Sequence, residues 1–279
     1  MVLPGGRLEW GERAQDAALR ELMEETGCAA EIVGLADVVD AVMTSRAGGE
    51  AWGHYLLVDY AARWIAGEPV AGDDARDVAA LDVAALTDHD HFGVRFLDET
   101  PEFYAEINAQ AAAFHEPGRF VTVHGYEWTN WIFGHRHVLF FSDQAPLLSS
   151  IDERYDEPGE LWEALRGLPA LTVPHHPAGG PAPIDWAVAP DPELEPAVEI
   201  TSAHGCSEAR DCALAIYSSY DGAFARDALG RGYRLGFIGS GDGHDGHPGL
   251  AHLGPHYPTG GLAAVLSEEL TREGLIEAL

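Results

Sequence analysis

The sequence predicts an α/β protein built from two parts with different chemistry. A helix rich in glutamate is predicted close to the first residue, over residues 12–26. From about residue 80, short apolar runs alternate with helical stretches, which is typical of a parallel sheet or barrel. Histidine use changes at the same place, since only His54 of the 14 histidines precedes residue 89. We expect a glutamate-based domain at residues 1–80 and a histidine-based domain at residues 81–279.

Charge and composition argue against several functional classes. The 279 residues carry a formal net charge of -30, from 46 acidic and 16 basic residues. Such a surface repels phosphate backbones and disfavours nucleic-acid binding, and no apolar run approaches the roughly 20 residues that span a bilayer. Three cysteines without paired metal-ligand spacing, and the lack of a basic and apolar leader, favour a reducing cytoplasm. The sequence is also compatible with a homodimer.

The predicted N-terminal helix separates apolar from acidic side chains. On a helical wheel, Leu19, Leu22 and Met23 share one face, which we expect to pack. A second face collects three carboxylates that repel one another, so an isolated helix gains nothing from them. Crowded oxygen ligands of this kind suit Mg²⁺ or Mn²⁺, which keep bound water and bridge phosphate oxygens. The three carboxylates are Glu21, Glu24 and Glu25.

The segment from Gly6 to Cys28 carries a recognisable motif. A glycine-containing turn at residues 3–6 lets backbone carbonyls approach a metal, because glycine has no Cβ. The string that follows resembles the Nudix box, G-x(5)-E-x(7)-R-E-U-x-E-E-x-G-U, in which U is aliphatic or similar. Its positions are occupied here by Gly6, Glu12, Arg20, Glu21, Leu22, Glu24, Glu25, Gly27 and Cys28.

The Nudix resemblance implies a fold and a reaction for the first part. The fold would be an α/β/α sandwich, here partial because the family has a strand or two before the box. The reaction would be water attack on a nucleoside diphosphate linked to another moiety. Mg²⁺ or Mn²⁺ would be held by the predicted catalytic residues Glu21, Glu24 and Glu25. Four residues would be structural: Gly6, Gly27, and Glu12 paired with Arg20.

The second part places metal-binding residue types after its predicted strands. Strands are predicted at residues 82–87, 120–124, 170–174, 197–201 and 235–239, and helices at 101–114, 160–165, 222–229 and 271–279. Side chains at the C-terminal ends of parallel strands converge in barrel and sheet enzymes. Imidazole and carboxylate together suit Zn²⁺, Mn²⁺ or Fe²⁺, which generate hydroxide near neutral pH. These strands are followed by Asp88, His89, Asp90, His91, Glu127, His175, His176, His204, Asp242 and His244.

Three strings in this part resemble the PHP superfamily of metal-dependent phosphoesterases. They are LTDHD at residues 86–90, PHHP at 174–177 and SGDGHDG at 240–246. The resemblance implies a partial β/α barrel without its first strand and a trinuclear metal centre. It assigns His89 and His244 to one metal, Glu127, His176 and His204 to a second, and Glu127 with Asp242 to a third. Further candidates for the site are Asp88, His135, His137 and His175.

Three functional hypotheses follow from these two motifs. The first is a Nudix hydrolase that cleaves a nucleoside-diphosphate-linked substrate with Mg²⁺. The second is a PHP-type phosphoesterase with a histidine-rich multinuclear centre. The third is a catalytically incomplete fusion or truncated product. In the first two, the partner is a small phosphorylated molecule.

Overall fold

The structure, a computed structural model, describes residues 6–44, 51–68, 70, 82–93, 96–244 and 260–279. Residues 3–5 of the predicted turn lie outside this part of the chain. Two compact units divide the chain, Val2–Ala80 and Leu81–Leu279. None of the helices that the structure describes has the length and apolar character needed to cross a membrane.

In the part of the first unit that the structure describes, there are one helix and a two-stranded antiparallel sheet. Helix α1 spans Ala14–Thr26 and ends at Gly27, whose left-handed backbone (φ 68°) lets its N–H donate to the Met23 carbonyl. Strand β1, Ala29–Thr44, pairs with β2, Ala51–Ala66. The unit is mixed α/β, consistent with a Nudix fold.

The face of α1 that we expected to pack is only partly covered. Leu19 and Leu22 are half-buried, but Met23 is 46% exposed. Ala17 and Thr26 are the buried residues of the helix. The prediction is wrong for Met23, because the narrow two-stranded sheet beside the helix buries only a narrow stripe of it.

The described residues of the second unit form two sheets. A four-stranded sheet has the order β3-β4-β5-β6 and a three-stranded sheet the order β8-β7-β9. The strands of the first sheet are β3 (Val83–Ala85), β4 (Val121–Asn130), β5 (Gly134–Phe140) and β6 (Ala170–Pro174). The strands of the second are β7 (Ala197–Ser202), β8 (Gly205–Cys206) and β9 (Gly236–Gly239). The helices are α2 (Pro101–Phe114), α3 (Pro158–Leu165), α4 (Ala225–Gly230) and α5 (Arg272–Ala278).

The expected parallel order is wrong for part of the four-stranded sheet. β3 and β4 are parallel, but β5 pairs antiparallel with both β4 and β6. The chain reverses in a tight turn after Asn130, whose Oδ1 accepts the N–H groups of Ile132 and Phe133 at 2.9 Å. Gly134 closes this turn at a φ of 81° that favours glycine. The predicted β/α barrel is not confirmed, since the described residues form two separate sheets and no closed barrel.

Side-chain alternation divides the four-stranded sheet into two chemically different faces. Tyr126 and Trp128 of β4 and Phe140 of β5 pack in the largest core cluster, together with residues of α2 and α3. Val121 and Val123 pack on the other face, with Leu275 of α5. Because successive residues of a strand point to opposite faces, the odd-numbered residues of β4 and β5 share this second face. They include Glu127, His135 and His137.

A buried histidine near α5 predicts how stability depends on pH. The His124 Nδ1 lies 2.9 Å from the Asn108 Oδ1, and the Arg272 Nη2 lies 3.1 Å from its Nε2. Burial, and then the Arg272 charge, lower the pKa of His124 below its ordinary 6.5. The unfolded chain therefore binds more protons here, so this group lowers stability as pH falls from about 7 through 6.5 towards the folded-state pKa.

We expect His124→Gln to reduce the pH dependence of the unfolding free energy between pH 7 and pH 5. Urea unfolding of the full chain and of the variant across this range provides the measurement. His54→Gln, which replaces an exposed imidazole, is the control for the loss of one imidazole from the chain. Equal slopes for His124→Gln and the unmodified chain would contradict the prediction.

The cysteines bear on the predicted compartment. Cys206 and Cys212 form a disulfide, while Cys28 is free and buried. Disulfides persist mainly in oxidising compartments. The pair thus lends no support to a reducing cytoplasm, and the localisation stays a prediction.

Candidate metal centre and carboxylate helix

Arg20 organises the acidic face of α1. Its guanidinium donates to both Glu12 carboxylate oxygens, at 2.9 and 3.0 Å. It also reaches Glu21 at 2.8 Å and Glu24 at 3.0 Å. The hydrogen bond from Arg20 lowers the pKa of Glu12, and the bonds to Glu12 and then Glu21 raise the pKa of Arg20. One cation therefore draws three of the motif's carboxylates together, and the fourth, Glu25, lies half-buried on the same helix.

The backbone at Gly6 lies directly against the Glu21 carboxylate. A Cβ at this position would overlap both Glu21 oxygens and its carboxyl carbon. A side chain at this position would therefore displace the Glu21 carboxylate from the place it occupies beside Gly6. Gly27, at the other end of α1, provides the left-handed residue that ends the helix.

In the second unit, imidazoles and carboxylates form a continuous cluster. Four groups of three residues each bring their ligand atoms within 4.8 Å of one another. Shared residues link the groups in the order given below. Glu127 belongs to the first and second groups, His175 to the second and third, and His204 to the third and fourth. The groups are His89–Glu127–His135, Glu127–His137–His175, His175–His176–His204 and His204–Asp242–His244.

Glu127, on β4, lies near three histidines at one end of this cluster. Its Oε1 lies 2.6 Å from the His135 Nδ1 and 3.9 Å from the His176 Nε2, and its Oε2 lies 3.4 Å from the His89 Nδ1. Burial opposes ionisation of Glu127, but the His175 charge and the His135 hydrogen bond outweigh it and hold its pKa well below the ordinary value. Glu127 is therefore a buried anion among imidazoles.

His175, after β6, lies between carboxylates. Its Nδ1 is 2.8 Å from the Glu199 Oε2, and its Nε2 is 3.4 Å from the Asp242 Oδ2. Burial opposes protonation, yet Glu199, Asp242 and Glu127 together raise the pKa of His175 well above its ordinary value. Glu199 also accepts the His176 backbone N–H at 3.0 Å. Glu199 thus orients the two adjacent histidines.

Asp242 and His204 form the other end of the cluster. The Asp242 Oδ2 lies 2.7 Å from the His204 Nε2, and the Asp242 Oδ1 lies 3.7 Å from the His244 Nδ1. Burial opposes ionisation of Asp242, but the His175 charge and hydrogen bonds from His175 and His204 lower its pKa. The His244 side chain is 45% exposed, so this end opens to solvent.

Backbone strain occurs at two members of the cluster. His176 has a φ of 35° and Asp242 a φ of 51°. Residues other than glycine adopt this region at a cost and keep it where the surrounding structure compensates, often at functional sites. The strain therefore agrees with a functional role for the cluster.

The cluster has the donor properties of a metal site. Two buried ring nitrogens, the His135 Nε2 and the His204 Nδ1, have no hydrogen-bond partner within the described part of the chain. Burial, and then the His175 charge, lower the pKa of His137 to about 4, so its ring is neutral with a lone pair available. Neutral imidazole and ionised carboxylate are the forms that bind Zn²⁺, Mn²⁺ and Fe²⁺. The residues fit such an ion.

The grouping differs from the assignment implied by the PHP resemblance. His89 and His244, assigned to one metal, fall in different groups, and Glu127 and Asp242 share none among the described residues. Asp88 is exposed. His135, His137 and His175, which the resemblance did not assign, lie within the groups.

The neighbouring residues Asp90 and His91 have structural partners. Asp90 is buried and accepts the backbone N–H of Thr129 at 2.8 Å. His91 pairs with Asp98 at 2.9 Å. Their positions after β3 suggested a site role, but these contacts hold the loop that carries His89.

Comparison with known families identifies the first part of the chain. Residues 1–100 match the NUDIX domain. The chain carries a Nudix domain at its N-terminus. An ADP-ribose pyrophosphatase of Methanocaldococcus jannaschii is 35% identical to it over 85 residues, which are 30% of this chain. The matched Nudix segment covers 47%, about half, of that relative.

The second part gives a less informative comparison. Residues 96–179 match a family described as a protein of unknown function, DUF3604. This segment contains Glu127 and four of the cluster histidines, His135, His137, His175 and His176. No solved structure matches the chain. The PHP resemblance of this part stays a prediction.

Proposed function

We propose that the Nudix domain hydrolyses a nucleoside-diphosphate-linked substrate of the ADP-ribose class. The observation that carries the proposal is the set of hydrogen bonds by which Arg20 draws the motif carboxylates Glu12, Glu21 and Glu24 together. The ADP-ribose pyrophosphatase that resembles this segment supports the substrate class. Glu21, Glu24 and Glu25 would hold Mg²⁺ or Mn²⁺, which would neutralise the diphosphate and activate water.

The chain's own residues would contribute orientation and charge. The Arg20 guanidinium pairs with Glu12, Glu21 and Glu24, and this restriction of their side chains lowers the entropy lost when they bind a cation. Water would add to one phosphorus and the bridging oxygen would leave with the other phosphate, so the products are two phosphomonoesters. A carboxylate of the same helix would accept the proton from water.

Glu24→Gln tests this function. The substitution removes a charge without changing the side-chain volume, so we expect hydrolysis of ADP-ribose in Mg²⁺ to fall by about 10²- to 10⁴-fold. Phosphate release coupled to a phosphomonoesterase is the measurement. Glu31→Gln, on β1 and 3.5 Å from Arg63, is the control and should retain activity. Activity of Glu24→Gln equal to that of the unmodified chain would reject the proposal.

A second candidate function is metal-dependent hydrolysis of a phosphomonoester or phosphodiester at the histidine cluster. The observation that favours it is the chain of four linked donor groups with one solvent-exposed end at His244. A divalent ion bound there would lower the pKa of water and polarise the phosphoryl group. Glu199 would keep His175 and His176 oriented, as carboxylates do for metal-bound imidazoles.

Elemental analysis of the purified full chain tests the second candidate. We expect Zn²⁺, Mn²⁺ or Fe²⁺ to copurify and to be recovered after chelation and reconstitution. A metal content near zero under both conditions would reject this function. Bound metal without hydrolysis at either site would instead favour the catalytically incomplete product.

A further inference from the structure

The antiparallel ladder brings together a set of donors that neither family motif assigns to one metal. Glu127 of β4 and His137 of β5 are direct register partners, so their side chains leave the same face of the sheet side by side. His175 follows β6 next to them, and its ring stacks on that of His137 with centroids 4.0 Å apart and 27° between the planes. The hairpin between β4 and β5 creates this arrangement.

These three residues are the most enclosed part of the cluster. Glu127 is 4% exposed, His137 7% and His175 1%. Two of the other groups are more open, because His89 is half-buried and His244 is exposed. The remaining group is nearly as enclosed, with His176 9% and His204 8% exposed. A cation held by these three side chains would have little access to bulk water.

The hydrogen bonds leave donor atoms available at the centre of this group. The Nδ1 of His175 is occupied by Glu199, and its Nε2, which lies 3.4 Å from the Asp242 Oδ2, would have to release a proton to bind a cation. Within the described part of the chain, neither ring nitrogen of His137 forms a hydrogen bond. A metal ion would supply a partner for these nitrogens.

We propose that Glu127, His137 and His175 form an enclosed site for one Zn²⁺ ion, in addition to the open groups near His89 and His244. This inference rests on the second candidate function. Two imidazoles and one carboxylate are a donor set that zinc accepts. Glu199 is the orienting partner of His175, and Asp242, 3.4 Å from the His175 Nε2, is the adjacent carboxylate. The enclosed ion would tie β4, β5 and the end of β6 together, while ions in the open groups exchange with solvent.

His137→Gln tests the site through metal content. The full chain is stripped with a chelator, reconstituted with Zn²⁺, passed over a desalting column and analysed for zinc per chain. We expect the variant to bind about one ion fewer than the unmodified chain, because two remaining ligands are fewer than the three or four that protein zinc sites use. His124→Gln is the matched control, since it removes an equally buried imidazole from the adjacent strand outside the cluster. It should keep the full zinc content.

His137→Cys with Co²⁺ gives a readout that folding defects cannot imitate. A thiolate at position 137 that binds Co²⁺ adds a sulfur-to-cobalt charge-transfer band to the spectrum of the unmodified chain, because Co²⁺ accepts thiolate ligands. We expect this band in the variant. Its absence, together with full zinc content in His137→Gln, would overturn the inference while leaving the second candidate function intact. No zinc in the unmodified chain would overturn both.

Discussion

Replacing Glu195 with alanine is expected to lower the free energy of unfolding of the second unit by about 3–5 kcal/mol. Glu195 accepts a hydrogen bond from the Arg136 Nε at 2.8 Å, and both side chains are at most 1% exposed. The substitution would leave the guanidinium buried without its counter-charge. Charges in that state cost far more than the same charges in water.

Arg136 cannot escape to solvent when its partner is lost. It lies on the core face of β5, opposite Trp128 in the register, and its guanidinium carbon is 5.8 Å from the ring centres of both Trp128 and Trp162. Its Nη1 also donates to the Phe133 carbonyl at 2.9 Å. These contacts confine the charge, which is why we expect a large effect.

Urea unfolding monitored by tryptophan fluorescence measures the effect of Glu195→Ala. Glu163→Ala is the control, since it removes the carboxylate of an exposed Arg–Glu pair on α3, and pairs of that kind contribute about 0–1 kcal/mol. The double variant Arg136→Met with Glu195→Leu should recover most of the stability, because it removes both charges. A loss below 1 kcal/mol in Glu195→Ala would contradict our account of the pair.

Glu127→Gln is expected to have the largest effect on metal binding. Glu127 belongs to two of the four donor groups and contacts His89 and His135 directly. Glutamine keeps the shape but removes the anion that the surrounding imidazoles stabilise. Changing a residue that only supports a metal ligand lowers metal affinity by roughly 10- to 100-fold. Glu127 would be a ligand itself, so we expect a larger loss of affinity for Zn²⁺.

Competition with a chromophoric chelator measures this affinity on the full chain. Glu160→Gln, an exposed carboxylate on α3, is the control and should bind Zn²⁺ as the unmodified chain does. Circular dichroism checks that the Glu127→Gln protein remains folded. A folded variant with unchanged zinc affinity would show that Glu127 is not a ligand.

Local patterns predicted several elements well. The region around α1 was predicted from the spacing of its carboxylates and apolar residues, and α2 was predicted at residues 101–114, the range that the structure shows. β6 likewise occupies residues 170–174. These elements are determined by residues close in sequence, since a helical face or a buried strand depends on periodicity.

The hairpin between β4 and β5 was not predicted as a unit. We expected a strand at residues 120–124, whereas β4 continues to Asn130 and β5 begins at Gly134. One local signal was present, because His135 and His137 alternate with the core residues Arg136 and Val138. The alternation alone does not show which residues His135 and His137 face, because that depends on the position of β5 between β4 and β6.

The sequence by itself determined the Nudix motif, the mixed α/β composition and the residue types available for metal binding. Only the tertiary structure decided which donors meet. Glu127 and His137 are neighbours because two strands pair in one antiparallel register, and a shift of one residue would turn His137 to the opposite face. His175 joins them because β6 pairs with β5. Such contacts depend on strand order and register, which depend on packing between segments far apart in the chain.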